Sequence, residues 1–164
     1  MANAVEPSES TLSGGELVGI HNDTFRRVVV PVCCLGSSDE ALKVAKLVCR
    51  SSGGALRLVH VRTWDEHPPS AGRYFTETSE QATALLEKAV TKVWDEGLAA
   101  SGIVLDAPRA LAARALLEEA AEWGADVVVV TKPPRRLLGP LAGRISGRAI
   151  RTASCPVLVV AGEK

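Results

Sequence analysis

Five short apolar runs punctuate the chain: Arg26 to Cys33 (RRVVVPVC), Ala55 to Val61, Gly102 to Leu105, Val127 to Val130 and Pro156 to Val160. Runs this short, rich in β-branched residues and bounded by turn signals, predict strands buried on both faces. Pro31 has no N–H to donate and sits near the end of its run, where a strand terminus accommodates it. Between the runs the apolar spacing becomes helical. Asp39 to Arg50 places Ala41, Leu42, Ala45 and Val48 on one face, with Ser37 and Ser38 as candidate caps and Gly53-Gly54 as the stop. Ser79 is the expected cap of a second helix, running to about Ala100 and apolar at Ala82, Leu85, Leu86, Ala89, Val93 and Trp94. A third helix spans Ala110 to Trp123 and closes on Gly124. A short fourth spans Arg144 to Thr152.

Strand and helix therefore alternate along the whole chain. That order implies an α/β fold, an open, doubly wound five-stranded parallel sheet with helices on both faces. Residues 1–25 are rich in Ser, Gly, Asn and Glu and read as a flexible tail, leaving 26–164 as one α/β domain. Arg62 to Thr78, with His67-Pro68-Pro69 and Gly72, reads as a polar surface loop. Thr131 to Gly143 is a second loop, rich in Pro, Gly and Arg, set between strand and helix.

Composition narrows the class. The chain has 164 residues, 46% of them hydrophobic, enough for one domain with its own core. Net charge is zero, which argues against a generic polyanion binder, and nucleic acid is disfavoured further by the lack of stacking aromatics beside the basic residues. No apolar run approaches a membrane span and the N-terminus lacks a basic-then-apolar signal, so a cytoplasmic location is expected. Cys33, Cys34, Cys49 and Cys155 lack metal-binding spacing and read mainly as small core hydrophobes.

Candidate chemistry is sparse. His60 lies inside a strand and reads as a satisfied core residue; His21 and His67 have no nucleophile at recognisable spacing. Glu118, Glu119 and Glu122 read as the wet side of a helix. No triad, metal box or Rossmann glycine fingerprint is present. Basic residues concentrate late in the chain, at Lys132, Arg135, Arg136, Arg144, Arg148 and Arg151, with no acidic residue among them. Arg144, Arg148 and Arg151 share a helix face, which serves either as a solvated surface or as a site for an anion or an acidic partner.

Two stretches carry a family resemblance. GADVVVVT…GRISGRAIRTASCPVLVV and VVVPVCCLGSSDEALKVAKLVCRSSGGALRLVHV resemble the two halves of the universal stress protein family, together covering about residues 26 to 161. The resemblance implies a nucleotide site at the carboxyl ends of the strands, around Pro31, Cys33, Val61, Val130, Thr131, Gly143, Arg144, Ile145 and Ser146. ATP-binding members place an aspartate after the first strand to address the base, and glycines in the late loop to admit the phosphates. Here the aspartate position is Cys33, and the first two glycine positions are Thr131 and Pro134. Pro133 and Pro134 also remove two N–H donors. Gly143 keeps the third glycine, Arg144 stands where a hydroxyl residue is usual, and Ser146 supplies a hydroxyl further into the helix. The usual signal after the third strand is replaced by Ala110-Leu111-Ala112.

The function implied is a stress-linked regulatory or interaction module, with no catalysis of its own and no cofactor. An ATP-dependent switch or slow ATPase is the alternative. An electron-transfer or pyrophosphatase relative on the same sheet has less to support it. The resemblance also implies a homodimer through the last strand, Pro156, Val157, Leu158, Val159 and Val160, whose apolar edge would otherwise invite aggregation.

Overall fold

A computed structural model of the chain describes residues 23–33, 39–66, 72–132 and 151–161. Its strands are β1 (Arg27–Pro31), β2 (Ala55–Glu66), β3 (Arg73–Phe75), β4 (Ala99–Pro108), β5 (Val127–Lys132) and β6 (Val157–Ala161). Its helices are α1 (Asp39–Ser52), α2 (Ser79–Asp95) and α3 (Ala112–Trp123), the last preceded by a 3-10 turn at Arg109–Leu111. Residues 1–22, most of the expected tail 1–25, and the Pro/Arg-rich stretch 133–150 lie outside the described residues, while Asp23–Phe25 at the end of that tail form a 3-10 turn.

Five strands run parallel in the order β4-β2-β1-β5-β6, so the chain first winds one way from β1 and then returns to wind the other. Right-handed crossovers then put helices on opposite faces. On one face α1 and α2 cover Val28, Val30, Leu56, Leu58, Val127 and Val129. On the other, Leu116, Leu117 and Ala120 of α3 cover Val29, Val59, Val128 and Val130. The alternating valines of β1 and β5 thus serve two cores at once, which is why their runs read as continuously apolar.

The expected sheet of five parallel strands gains a sixth, antiparallel one. β2 continues to Glu66, and β3 folds back on it with Trp64 opposite Phe75 and Glu66 opposite Arg73. The polar stretch read as a surface loop is therefore largely a hairpin. Its side chains alternate charge with aromatic ring, and Arg62 stacks on Phe75 and Arg73 on Trp64, 4.1 and 4.4 Å from the ring centres. β4 is also longer than its apolar centre, because it pairs with β2 over its whole length, from Ala55↔Ala99 to Trp64↔Pro108.

Helix ends follow local chemistry. Thr78, rather than Ser79, caps α2, in a reciprocal box with Gln81. That helix stops at Asp95, short of Ala100, because Gly97 takes a left-handed turn into β4. Gly124 ends α3 in the left-handed conformation. Gly54 is required by proximity: a Cβ there would lie 2.3 Å from the Arg26 carbonyl oxygen. Glu119 is a correction to the wet helix face, since it is 8% exposed and turned toward Arg57.

Candidate functional site

The winding reverses at β1, which has β2 on one side and β5 on the other. Crevices form where two strands leave such a reversal toward opposite faces, at their carboxyl ends. β1 and β5 pair as Val28↔Val127 and Val29↔Val128. Continuing that register brings Pro31 level with Val130, and Cys33 level with Lys132.

On β1, Pro31 is half-buried and pairs with Val59. Val32 follows with both backbone groups held by β2: its N–H donates to the Val59 carbonyl at 2.9 Å, and its carbonyl accepts from His60 Nδ1 at 2.8 Å. The strand end is thereby fixed just before the half-buried Cys33. On β5, Val130 is buried against the α3 face and does not reach the crevice. Thr131 follows it, and its Oγ1 is shut off from solvent without a hydrogen-bond partner among the described residues. An unpartnered buried hydroxyl is costly, so among the described residues this is a polar atom that a bound group would satisfy.

On the other side of β1 the polar groups already have partners. Arg62 grips Asp106 on the adjoining strand, with Nε–Oδ1 at 2.7 Å and Nη2–Oδ2 at 2.5 Å. The Arg62 bond holds the Asp106 carboxyl below its usual range, and the Asp106 bond raises the guanidinium. Val61, half-buried between them and the α3 face, supplies only apolar surface. Among the described residues no group of three or more His, Cys, Asp or Glu could hold a metal.

The structure therefore sets the carboxyl ends of β2, β1 and β5 side by side as one crest, with Pro31 level with Val59 and Val130, and Cys33 just past the end of β1. Gly143, Arg144, Ile145 and Ser146 lie outside the described residues, as does Arg148; Arg151 is exposed. Cys33 offers a weak donor in place of a carboxylate, and Thr131 projects a side chain where glycine would let backbone approach. Sequence reasoning missed the Arg62–Asp106 and His60–Glu77 pairs. Arg62 and Asp106 are register partners, legible only once β2 and β4 are known to be parallel; Glu77 reaches His60 from the segment before α2.

Pro156 to Val160 lie where the edge was expected. Among the described residues β6 pairs with β5 alone, and the Pro156 carbonyl accepts from the Val128 N–H at 3.0 Å. Val157 and Val159 face the α3 core, while Leu158 on the other face is 41% exposed. Val160 packs on the α1 side with Val44 and Val48. No helix among the described residues is long and apolar enough to cross a membrane.

Comparison with solved structures places this architecture among similar ones. A universal stress protein from Archaeoglobus fulgidus DSM 4304 superposes with a TM-score of 0.66 at 23% identity, over 85% of this chain and 46% of that one, so the present chain spans about half its length. The universal stress protein from Archaeoglobus fulgidus in complex with dAMP gives 0.60 at 22% identity, over 83% of this chain and 98% of that one. A universal stress protein family protein from Arabidopsis thaliana with AMP bound gives 0.57 at 18% identity, over 84% and 92%. None of the curated protein sequences matches significantly. At these identities the likeness establishes the fold, and the family itself rests on sequence: the profile of the universal stress protein family matches residues 24–161, from just before β1 to the last residue of β6. The two windings about β1 and the paired CPVLVV ending are thus one inherited pattern, and the chain belongs to the universal stress protein family.

Proposed function

We propose that this protein is a stress-linked regulatory module that works by binding other proteins in the cytoplasm, as a homodimer joined through β6, and that it does not take ATP in the manner usual for its family. The observation that carries this reading is the crest of β1. Cys33 stands where the base-reading carboxylate would be, and Thr131 stands in place of the first loop glycine. Loss of the carboxylate removes the stronger, charge-assisted class of hydrogen bond from base recognition. The open β6 edge with exposed Leu158 supports self-pairing, because such an edge in isolation is an aggregation site.

A second reading is kept alive by Thr131. Its buried hydroxyl without a partner, together with the dAMP and AMP of the two similar structures, supports a nucleotide held in an altered pose. Mass spectrometry of protein purified under native conditions, followed by calorimetric titration with ATP and AMP, separates the two. The interaction module predicts no co-purified nucleotide and negligible heat. Low-micromolar affinity for either nucleotide overturns it.

A further inference from the structure

β4 lies on the side of the sheet opposite β6, and among the described residues it pairs with β2 alone. The bonds of β2 fix which backbone groups of β4 face outward. Ala55 and Val59 bond across to β1, through Arg26 and Val32, and Thr63 bonds to Thr76 on that same side. Backbone groups point alternately to the two neighbours of a strand, so Leu56, Leu58, His60 and Arg62 turn to β4 and meet Ser101, Ile103, Leu105 and Ala107. Ala100, Gly102, Val104, Asp106 and Pro108 are left with their backbone turned away from β2. Two of these five cannot exchange both bonds with a further strand. Pro108 has no N–H to give. The Ala100 carbonyl already accepts from the indole Nε1 of the exposed Trp94 at 2.9 Å.

These two incomplete positions lie equally far from Val104, one on each side, and that symmetry selects the strand that fits. We propose that β4 pairs antiparallel with β4 of a second copy of this chain, about a two-fold axis through Val104. Val104 then exchanges both bonds with Val104 of the second copy, and Gly102 does so with Asp106 of the second copy. Ala100 falls opposite Pro108. The carbonyl that is taken meets the residue with no hydrogen to offer, and the Ala100 N–H still reaches the Pro108 carbonyl. Centring the pair on Gly102 or Asp106 instead would set Ala100 or Pro108 against Val104, whose donor and acceptor are both free to bond. The side chains agree with the same axis. On the α3 face, half-buried Ile103 stands opposite Leu105, at the non-hydrogen-bonded positions where cross-strand side chains come closest. On the α2 face Asp106, held by Arg62, stands opposite Gly102, which has no side chain to crowd the pair.

The edge lacks a bond at each end, so this contact is weaker than a full ladder and joins copies at concentrations above those at which β6 pairs. It rests on β4 alone and does not depend on the β6 dimer. Where β6 also pairs, the two contacts lie on opposite sides of one sheet and extend it as an open row of copies.

The test is sedimentation equilibrium of the full chain carrying Leu158→Lys, so that β6 is blocked, from about 10 μM to about 1 mM. A reversible monomer–dimer equilibrium is expected within that range. Adding Val104→Pro should weaken it by about tenfold or more. The N–H it removes faces away from β2, where an edge strand tolerates proline, so the circular dichroism spectrum should stay unchanged. Adding Trp94→Phe instead should also weaken association, because it leaves the Ala100 carbonyl bare opposite Pro108. Hydrogen exchange on the Leu158→Lys chain gives a reading that needs no further substitution. The amides of Gly102, Val104 and Asp106 should exchange more slowly at the top of the concentration range than at the bottom. A chain that stays monomeric throughout overturns the proposal. So does a dimer unaffected by a folded Val104→Pro variant, or exchange at the three amides that ignores concentration. Tighter association with Trp94→Phe overturns it as well, since the indole would then be guarding the edge against a second copy.

Discussion

Arg57 on β2 reaches Glu119 on α3 across the sheet face, with Nε and Oε1 2.9 Å apart, while its Nη1 donates to Ser101 Oγ on β4 at 3.1 Å. One guanidinium thus joins two strands and a helix. Glu119→Ala leaves that cation half-buried with Ser101 as its partner among the described residues, and should destabilise the domain by about 3 kcal/mol, the scale of a broken buried pair. Urea unfolding measures it. A loss under about 1 kcal/mol would class the pair with solvated surface bridges.

Gly53 and Gly54 should behave very differently under the same change. Gly53 has a φ of 63° and open space around it, so Gly53→Ala incurs only backbone strain, about 1 kcal/mol. A Cβ at Gly54 meets the Arg26 carbonyl at 2.3 Å and would push apart the start of β1 and β2, at a cost of about 3 kcal/mol or more. Thermal melts of the two variants should separate clearly; equal midpoints would mean that the strands part there without resistance.

Burial pushes the Cys49 thiol up to about 11. Native protein should therefore resist thiol reagents at Cys49 at neutral pH, and unfolded protein should not. The linkage has a definite sign. A group that keeps its proton longer in the folded state contributes stability below its ordinary value of 9.0, and that contribution is lost as pH rises toward about 11. The Cys49→Ala variant should lose less stability than wild type over this alkaline window, measured by denaturation at each pH. Identical slopes would remove Cys49 from the account.

Leu158→Lys places a charge on the exposed face of β6, in a position that costs a single subunit little. Light scattering should show the wild type as a dimer at micromolar concentration and the variant as a folded monomer. A monomeric wild type would end the homodimer proposal. An unchanged dimer in the variant would move the contact elsewhere.

Much of the fold was legible because β1 and β5 bury both faces, so Val28 to Val30 and Val127 to Val130 announce themselves as unbroken runs. The hairpin was not, since its stability comes from Arg62 and Arg73 lying on rings rather than from apolar alternation. Glu119 looked solvated because helical spacing reports which residues share a face, while its partner Arg57 sits in another element. Of the candidate site, Cys33 and Thr131 were placed by resemblance at the ends of β1 and β5, and those two strands pair in parallel. What holds Cys33 in place depends on His60, whose partners come from before and after it in the chain and follow no spacing rule.

The fold-back of β3 onto β2 also bears on the order in which the molecule assembles. Every parallel pairing described here joins strands that are distant in the chain or separated by a helical crossover, and must wait for a large loop to close. Trp64 and Phe75 are close in sequence, and hairpins of this kind zip within about 1–10 μs. The upper end of β2 can be straightened and given its aromatic stacking before its lower end finds β1. A nascent chain released only as far as Phe75 would already hold the template against which β4 later aligns, ahead of any residue of the second winding.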